Sequence, residues 1–222
     1  MSFLSSLKFA FPSGSRLRTV KWGILQGLTL PLDLQYQSQI YFGTWEREHY
    51  QWTHQLSRGI HTYFDVGANQ GIMSAYGAAK TNANRIFAFE PGTGLHEDIL
   101  EAVFLNCDPN ALTLDIVPKF VSSEQTDTTV CLDAYIDKVN YPIFLKIDVD
   151  GAEIDVLRGA EKLLTSGDSR VILETHSDKL ENECISLLKD YKFTVKIIDN
   201  AWWRAILPEQ RSCPHNRWLA AY

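Results

Sequence analysis

From residue 61 onward, short apolar runs alternate with segments whose apolar residues recur at helical spacing. The apolar runs predict strands at 63–66, 85–90, 112–121, 129–132, 142–150, 170–174, 193–198 and 217–222. The helical spacing predicts helices at 72–80, 95–106, 152–165 and 178–191. Nearly continuous apolar strands separated by helices are typical of an α/β fold whose mostly parallel sheet is covered by helices on both faces.

The first 60 residues predict a cap on this sheet. Two β-like runs, 18–24 and 28–32, flank Gln26 and Gly27 and predict a hairpin. A helix is expected over 45–56, with Thr44 as its N-cap. We therefore expect an N-terminal cap, 1–60, that is part of the same domain as the main body, 61–222.

The turn at 65–71, DVGANQG, joins a predicted buried strand to a predicted helix. A strand, a glycine-rich turn and a helix open many nucleotide-binding α/β units. This turn has the spacing Gly-x-x-x-Gly and lacks the third glycine of a pyrophosphate-binding turn. Asp65, at the strand end, would also repel a phosphate. The turn favours a positively charged adenosine-bearing ligand such as S-adenosylmethionine over NAD, and a turn without any ligand is the structural alternative.

Four predicted strands end in acidic residues: Asp65, Glu90, Asp148 and Glu174. Because ligands of open α/β sheets bind outside the carboxyl ends of the strands, we expect these side chains to share one crevice. Glu90 follows the glycine turn by about the 20 residues at which an acid reaches an adenosine ribose. Each acid alone could instead be a solvated strand end.

His176 follows Glu174 and is a candidate general base, because its reference pKa is near neutrality. An alternative of equal weight is that His176 simply packs at the end of the strand. Lys146, just before Asp148, could pair with an acid or line the substrate side. The residues Asp150 and Glu153 are interpreted chiefly as a capping box for the next helix, and the same spacing at 178 and 181 is interpreted as capping outright.

Composition limits the possible partners. The net charge of −6 argues against broad binding to nucleic acid or to anionic membranes, and the one basic cluster, over 8–21, is short and interrupted. No apolar run approaches the roughly 20 residues of a membrane span. No signal peptide is expected. The four cysteines form no CxxC pair, so we expect no zinc site and predict reduced thiols in the cytoplasm.

Several motifs together resemble the FkbM-type methyltransferases. They are DVGANQG at 65–71, FEP at 89–91, TVCLD at 129–133 and, most specifically, LKIDVDGAEIDVLRGA at 145–160. The segments GTWE at 43–46 and LETH at 173–176 also look like that family. The resemblance implies a class I, Rossmann-like methyltransferase with a seven-stranded sheet, usually acting on oxygen in natural products, glycolipids or polysaccharides. Two departures are Asp150, where the family more often has Glu, and a shorter 106–133 segment.

The resemblance also implies roles for individual residues in binding S-adenosylmethionine. Asp65, Gly67, Ala68, Asn69 and Gly71 are expected around its methionine part, and Glu90 is expected on its ribose. In the shorter 106–133 segment, Ser122 and Ser123 are the expected contacts of its adenine.

The sequence predicts an O-methyltransferase acting on a small molecule, natural product or saccharide. Asp148 and Glu174 would orient the acceptor hydroxyl or bind a divalent cation, and His176 would be the base. We commit to no metal ligand set and expect neither a nucleic acid acceptor nor a membrane span. The alternatives are a non-catalytic binding or assembly module of the same fold and a nicotinamide-dependent oxidoreductase. For the acceptor, Trp45, Tyr50, Trp52 and the 202–203 tryptophan pair could stack on sugar rings, and ordinary packing or a dimer contact is the alternative.

Overall fold

The computed structural model describes residue 11, residues 13–201 and residues 215–222. Its strands, in chain order, are β1 Arg16–Thr19, β2 Thr29–Leu32, β3 Thr62–Val66, β4 Arg85–Phe89, β5 Thr113–Val117, β6 Phe120–Val121, β7 Thr129–Val130, β8 Ile143–Ile147, β9 Ser169–Thr175, β10 Val195–Ile198 and β11 Arg217–Ala221. The α-helices are α1 Leu34–Tyr41, α2 Tyr50–Leu56, α3 Ile72–Lys80, α4 His96–Phe104, α5 Glu153–Arg158, α6 Glu161–Thr165 and α7 Asp178–Asp190. Short 3-10 turns lie at Arg47–His49, Thr93–Leu95 and Leu132–Lys138.

Seven strands form the central sheet in the order β10-β11-β9-β8-β3-β4-β5. The strand β11 runs antiparallel to both of its neighbours, and the other neighbouring strands are parallel. The predicted mostly parallel sheet is therefore confirmed. The predicted strand over 112–121 is in fact two strands, because the chain turns at 118–119 between β5 and β6.

Helices cover both faces of the sheet, as predicted. Successive residues of a strand point to opposite faces, so Tyr63 and Phe64 belong to different core clusters. The Tyr63 cluster includes buried residues of α3, α4 and the cap. The Phe64 cluster includes buried residues of α5, α6 and α7. No helix of the described chain is long and apolar enough to cross a bilayer.

The cap contains the predicted hairpin with a shifted first strand. β1 and β2 pair antiparallel, and the residues 21–27 form the turn between them. The helix α1, which the sequence pattern did not reveal, follows with Asp33 as its N-cap, since the Asp33 carboxylate accepts from the Gln35 backbone N–H.

The predicted N-cap at Thr44 is wrong. The backbone N–H of Thr44 donates to Gln39 O, so this residue ends the preceding α1 segment. Glu46 then adopts a left-handed conformation, with φ of 46°, and a 3-10 turn precedes α2, which starts at Tyr50. The rule that places polar residues at helix starts failed here because Thr44 closes one helix before the next begins.

Two side chains attach the cap to the main body. The Asn106 amide, at the end of α4, bonds both the N–H and the carbonyl of Thr29 at 2.8 Å. Arg170, on β9, donates to the carbonyl oxygens of Leu56 and Arg58. Because both side chains form hydrogen bonds with backbone groups of the cap, they support the prediction that the cap and the sheet form one domain.

Replacing Asn106 with alanine should lower the free energy of unfolding by about 1–3 kcal/mol, because the polar groups of Thr29 lose their partner. Urea denaturation measures this change. Asn106 also donates to the carbonyl of Ala102, four residues earlier. The matched control is Asn182→Ala, since Asn182 donates to the carbonyl of Asp178 in the same way but is exposed on α7. A single transition in both variants supports one domain. A separate transition for the cap would contradict it.

Candidate cofactor and active site

A cleft of about 720 Å³ opens at the carboxyl ends of β3, β4 and β8. Its volume lies within the range of about 300–1,000 Å³ that is usual for small-molecule sites. The main-body residues that line it are Val66, Gly67, Asn69, Phe89, Glu90, Pro91, Lys119, Phe120, Val121, Asp148, Val149, Asp150, Ala152 and His176. The cap contributes Trp45 and Glu46. The predicted crevice at the strand ends is therefore present.

The glycine turn forms one wall of the cleft and requires its glycines. Gly67 has φ of 78°, and an ideal Cβ on it would lie 2.0 Å from the carbonyl oxygen of Asp148. Gly71, with φ of 75°, approaches the backbone of Ile99 closely, since its ideal Cβ would lie 2.7 Å from Ile99 Cα. A side chain at either position would clash with backbone atoms and strain the left-handed conformation.

Glu90 is held rigidly at the mouth of the cleft. One carboxylate oxygen accepts from the Asn69 backbone N–H at 2.9 Å, and the other accepts from the Gly92 N–H at 2.8 Å. Each oxygen keeps a further lone pair. Glu90 can therefore accept hydrogen bonds from hydroxyl groups of a ligand while its orientation stays fixed.

Asp65 does not line the cleft. Its side chain is fully buried beneath the glycine turn, where it accepts from the Ser74 hydroxyl at 2.6 Å. Burial raises the pKa of Asp65, although Lys146 and Ser74 act in the opposite direction. Ala68 and Gly71 also lie outside the cleft lining. Asp65, Ala68 and Gly71 therefore support the conformation of the glycine turn from the side that faces away from the cleft.

Ser122, predicted at the adenine, does not line the cleft either. Its N–H donates to Val130 O, and its carbonyl oxygen lies 2.1 Å from where a Cβ on Gly159 would stand. The residues just before it line the cleft instead, including Phe120, which is 61% exposed. Because Phe120 falls within the apolar run 112–121 that predicts a strand, the sequence gives no signal that it lines the cleft.

Lys146 is a buried cation at the centre of the site. Its Nζ donates to the carbonyl oxygen of Gly67 at 2.9 Å and lies 3.5 Å from Asp65 Oδ1 and 3.4 Å from Asp148 Oδ2. Burial alone would lower the pKa of Lys146, but the carboxylates of Asp148 and Asp65 hold it above its ordinary value. Of the two roles expected for Lys146, the structure shows the pairing with acids.

Asp148, Glu174 and His176 are brought together, as the sequence predicted. Each offers a ligand atom within 4.8 Å of the others, so the group could hold a divalent cation. His176 Nε2 lies 3.9 Å from both Asp148 Oδ1 and Glu174 Oε2. Burial would raise the pKa of Asp148, yet Lys146 and the neighbouring polar groups keep it below its usual value. Glu174 is fully buried behind the two residues that line the cleft.

Glu153, interpreted as a helix-capping residue, instead contacts His176. The distance between Glu153 Oε1 and His176 Nδ1 is 2.5 Å. This hydrogen bond, followed by the other carboxylates nearby, raises the pKa of His176. The residue at the N-cap of α5 is Ala152, and the Asp150 side chain is fully exposed, so the expected capping box does not form.

The second predicted cap is also wrong. The side chain of Ser177 caps α7 by accepting from the Leu180 N–H. Glu181 is nearly buried and forms a bidentate ion pair with Arg217 on β11. Residue spacing alone did not distinguish a capping carboxylate from one that pairs with a distant strand.

Among the aromatic candidates for acceptor binding, Trp45 lines the cleft and the others on the capping helix do not. Trp52 stacks on Tyr222 with ring centroids 5.8 Å apart, and Tyr50 contacts His49 edge to face. Packing is the observed role of these two rings. The tryptophan pair at 202–203 lies outside the described residues.

Residues 102–201 match the family described as the Methyltransferase FkbM domain. No curated protein matches the sequence. The crystal structure of a methyltransferase FkbM from Methylobacillus flagellatus KT is similar to this one, with a TM-score of 0.57 and 18% identity over 74% of this chain. The present chain spans only 44% of the length of that protein.

Other similar structures carry different methyltransferase names. An rRNA methylase from Streptococcus thermophilus has a TM-score of 0.51 and 14% identity, with 79% of this chain and 94% of that chain covered. A precorrin-6y C5,15-methyltransferase from Geobacter metallireducens GS-15 has a TM-score of 0.51 and 13% identity, with coverage of 80% and 87%. Identities this low establish the fold alone. The fold is that of a class I, Rossmann-like methyltransferase, and a segment of just under half of the chain, 102–201, matches the FkbM methyltransferase family.

Proposed function

We propose that the protein is an S-adenosylmethionine-dependent O-methyltransferase that acts on a hydroxyl group of a small molecule, natural product or saccharide. The observation that carries this proposal is the position of His176 and Asp148 in the same cleft as the glycine turn and Glu90. One cleft thus has a surface for the cofactor and, beside it, a base for the acceptor. We call the cofactor surface, formed by Gly67, Asn69, Phe89, Glu90, Phe120 and Val121, the cofactor wall.

The cofactor wall suits an adenosine joined to a positively charged sulfur. Glu90, fixed by two backbone N–H groups, would accept from the ribose hydroxyls. Phe89, Phe120 and Val121 provide apolar surface for the adenine. Gly67 and Asn69 would flank the methionine part. When bound, S-adenosylmethionine supplies an electrophilic methyl group, and the acidic cleft favours its sulfonium over the pyrophosphate of NAD.

On the acceptor side, His176 would take the proton of the hydroxyl through Nε2. Asp148 would orient that hydroxyl. Glu174, which is buried beneath His176 and Asp148, would help to hold these two side chains in position. A divalent cation held by these three residues is the alternative way to acidify the hydroxyl. In both cases the protein contributes mainly by holding the hydroxyl in line with the methyl group.

The charge of the cleft supports an acceptor without phosphate groups. Four of its lining residues carry carboxylates: Glu46, Glu90, Asp148 and Asp150. These groups would repel the phosphates of a nucleic acid, so charge continues to argue against an RNA acceptor even though an rRNA methylase shares the fold. Trp45, which lines the cleft, would suit a sugar ring by stacking with its aromatic face. The cytoplasmic location remains a proposal based on the cysteine pattern of the sequence.

Replacing Glu90 with glutamine should weaken binding of S-adenosylhomocysteine by about 10- to 100-fold, because a charge-assisted hydrogen bond to the ribose is lost. Calorimetric titration measures the affinity. Binding of 5′-methylthioadenosine, which has the ribose but no methionine part, should weaken by a similar factor. Glu97→Gln, at an exposed position on α4, is the control. Equal affinities in wild type and Glu90→Gln would remove Glu90 from the ribose.

Replacing His176 with alanine should lower kcat by about 100- to 10,000-fold, the usual contribution of a general base. The affinity for S-adenosylhomocysteine should stay within about threefold of wild type. The assay is transfer of a labelled methyl group to a panel of saccharides and phenolic or aliphatic alcohols. His54→Ala is the control, because His54 is an exposed histidine on α2. Unchanged turnover in His176→Ala would exclude His176 as the base. Binding of the cofactor without turnover in wild type would favour the non-catalytic module.

A further inference from the structure

We propose that Glu153 is a positioning residue that fixes the ring orientation and the tautomer of His176, so that Nε2 faces the cleft as a proton acceptor. This inference rests on the proposed function for its consequence in catalysis. Its structural part can be tested without any acceptor.

The contact between Glu153 and His176 joins two elements that are distant in sequence. Glu153 is the first residue of α5, and His176 follows the end of β9. Glu153 Oε1 lies 2.5 Å from Nδ1 of the ring and also accepts from the Gly151 N–H at 3.3 Å. The loop between β8 and α5 thus holds the carboxylate in place from one side, and the imidazole does so from the other.

Because Glu153 is buried, water cannot easily replace His176 as the partner of its carboxylate. Its side chain has no exposed surface, whereas the neighbouring Asp150 is fully exposed. A buried carboxylate is costly unless it accepts hydrogen bonds. Oε1 has two donors, and one of them is the His176 ring. The main side-chain partner of the buried Glu153 carboxylate is therefore the His176 ring.

The consequence for His176 concerns its second nitrogen. A carboxylate can only accept, so Nδ1 must carry the proton in this contact. In a neutral ring the lone pair then resides on Nε2. Nε2 lies 3.4 Å from Asp150 Oδ1 and 3.9 Å from Asp148 Oδ1, on the side of the cleft. The same division of labour between a buried carboxylate and a histidine operates in the Ser-His-Asp triad, where loss of the carboxylate leaves the wrong tautomer.

The direct test is nitrogen-15 NMR of histidine-labelled protein at a pH where His176 is neutral. The His176 signals are assigned by their absence from His176→Gln. We expect the Nδ1–H tautomer in wild type. Observation of the Nε2–H tautomer in wild type would overturn the proposal, and this measurement does not depend on the folding of any Glu153 variant or on knowledge of the acceptor.

The second test is the substitution Glu153→Gln. An amide can donate to Nδ1 as well as accept from it, so the fixed tautomer should be lost. We expect kcat to fall by about 100-fold or more, by analogy with loss of a triad carboxylate, with KM and the affinity for S-adenosylhomocysteine within about threefold. Glu161→Gln is the matched control, since Glu161 is the first residue of α6 but is exposed. Glu153→Asp keeps the charge and should recover the Nδ1–H tautomer in part.

The outcomes separate this proposal from the proposed function. Wild-type kcat in Glu153→Gln, or an unchanged tautomer in that variant, contradicts the positioning role. Loss of kcat in parallel with a large loss of cofactor affinity also contradicts it, because it indicates a general structural defect. An Nδ1–H tautomer in a wild-type protein that methylates no acceptor would retain the positioning of the ring and reject the methyltransferase activity.

Discussion

The arrangement of the cleft depends on the buried ammonium group of Lys146. It binds the carbonyl oxygen of Gly67 and lies between the carboxylates of Asp65 and Asp148. Removing one partner of a buried ion pair typically costs about 3–5 kcal/mol, because the remaining charge is left unpaired. The glycine turn, which we propose contacts the cofactor, and the Asp148 carboxylate, which we propose lies beside the acceptor, are thus tied to the same cation. Asp65 can therefore support the glycine turn although it does not line the cleft.

Charge also organises the acceptor side. His176 has Glu153 at one ring nitrogen and Asp148, Asp150 and Glu174 around the other. The carboxylates of Glu46, Glu90, Asp148 and Asp150 line the cleft and make it acidic. This charge is the reason why we propose a ligand with a positive sulfur and not one with a pyrophosphate. The fold by itself does not choose among acceptors, because methyltransferases with quite different names share it.

Much of the fold followed from periodicity. The strands β3, β4, β8, β9 and β11 are mostly buried and apolar. The amphipathic helices between the strands must cover the sheet, so the order of strands and helices could be predicted from the sequence. The convergence of Asp148, Glu174 and His176 followed from the rule that parallel strands end at one edge. The fold and these three positions were therefore accessible to sequence reasoning.

What sequence reasoning missed depends on which of several available contacts a residue makes. Glu153 has the spacing of a capping residue, yet its partner is 23 residues away. Thr44 is a residue type that is common at N-caps, yet its backbone N–H donates to Gln39 O at the end of the preceding helix. Ser122 has a suitable polar side chain, but the neighbouring Phe120 lines the cleft. Local rules predict such residues poorly because a local and a tertiary hydrogen bond satisfy the same polar group equally well.

We propose that the cleft binds an adenosyl sulfur cofactor, and thermal unfolding with S-adenosylhomocysteine and with NAD is the first test of this proposal. A ligand at about 100 times its dissociation constant stabilises the native state by about 2.7 kcal/mol. For a chain of this size that corresponds to a rise in Tm of roughly 5–10 °C. We expect this rise with S-adenosylhomocysteine and none with NAD. A rise with NAD alone, or no rise with S-adenosylhomocysteine, would contradict the account.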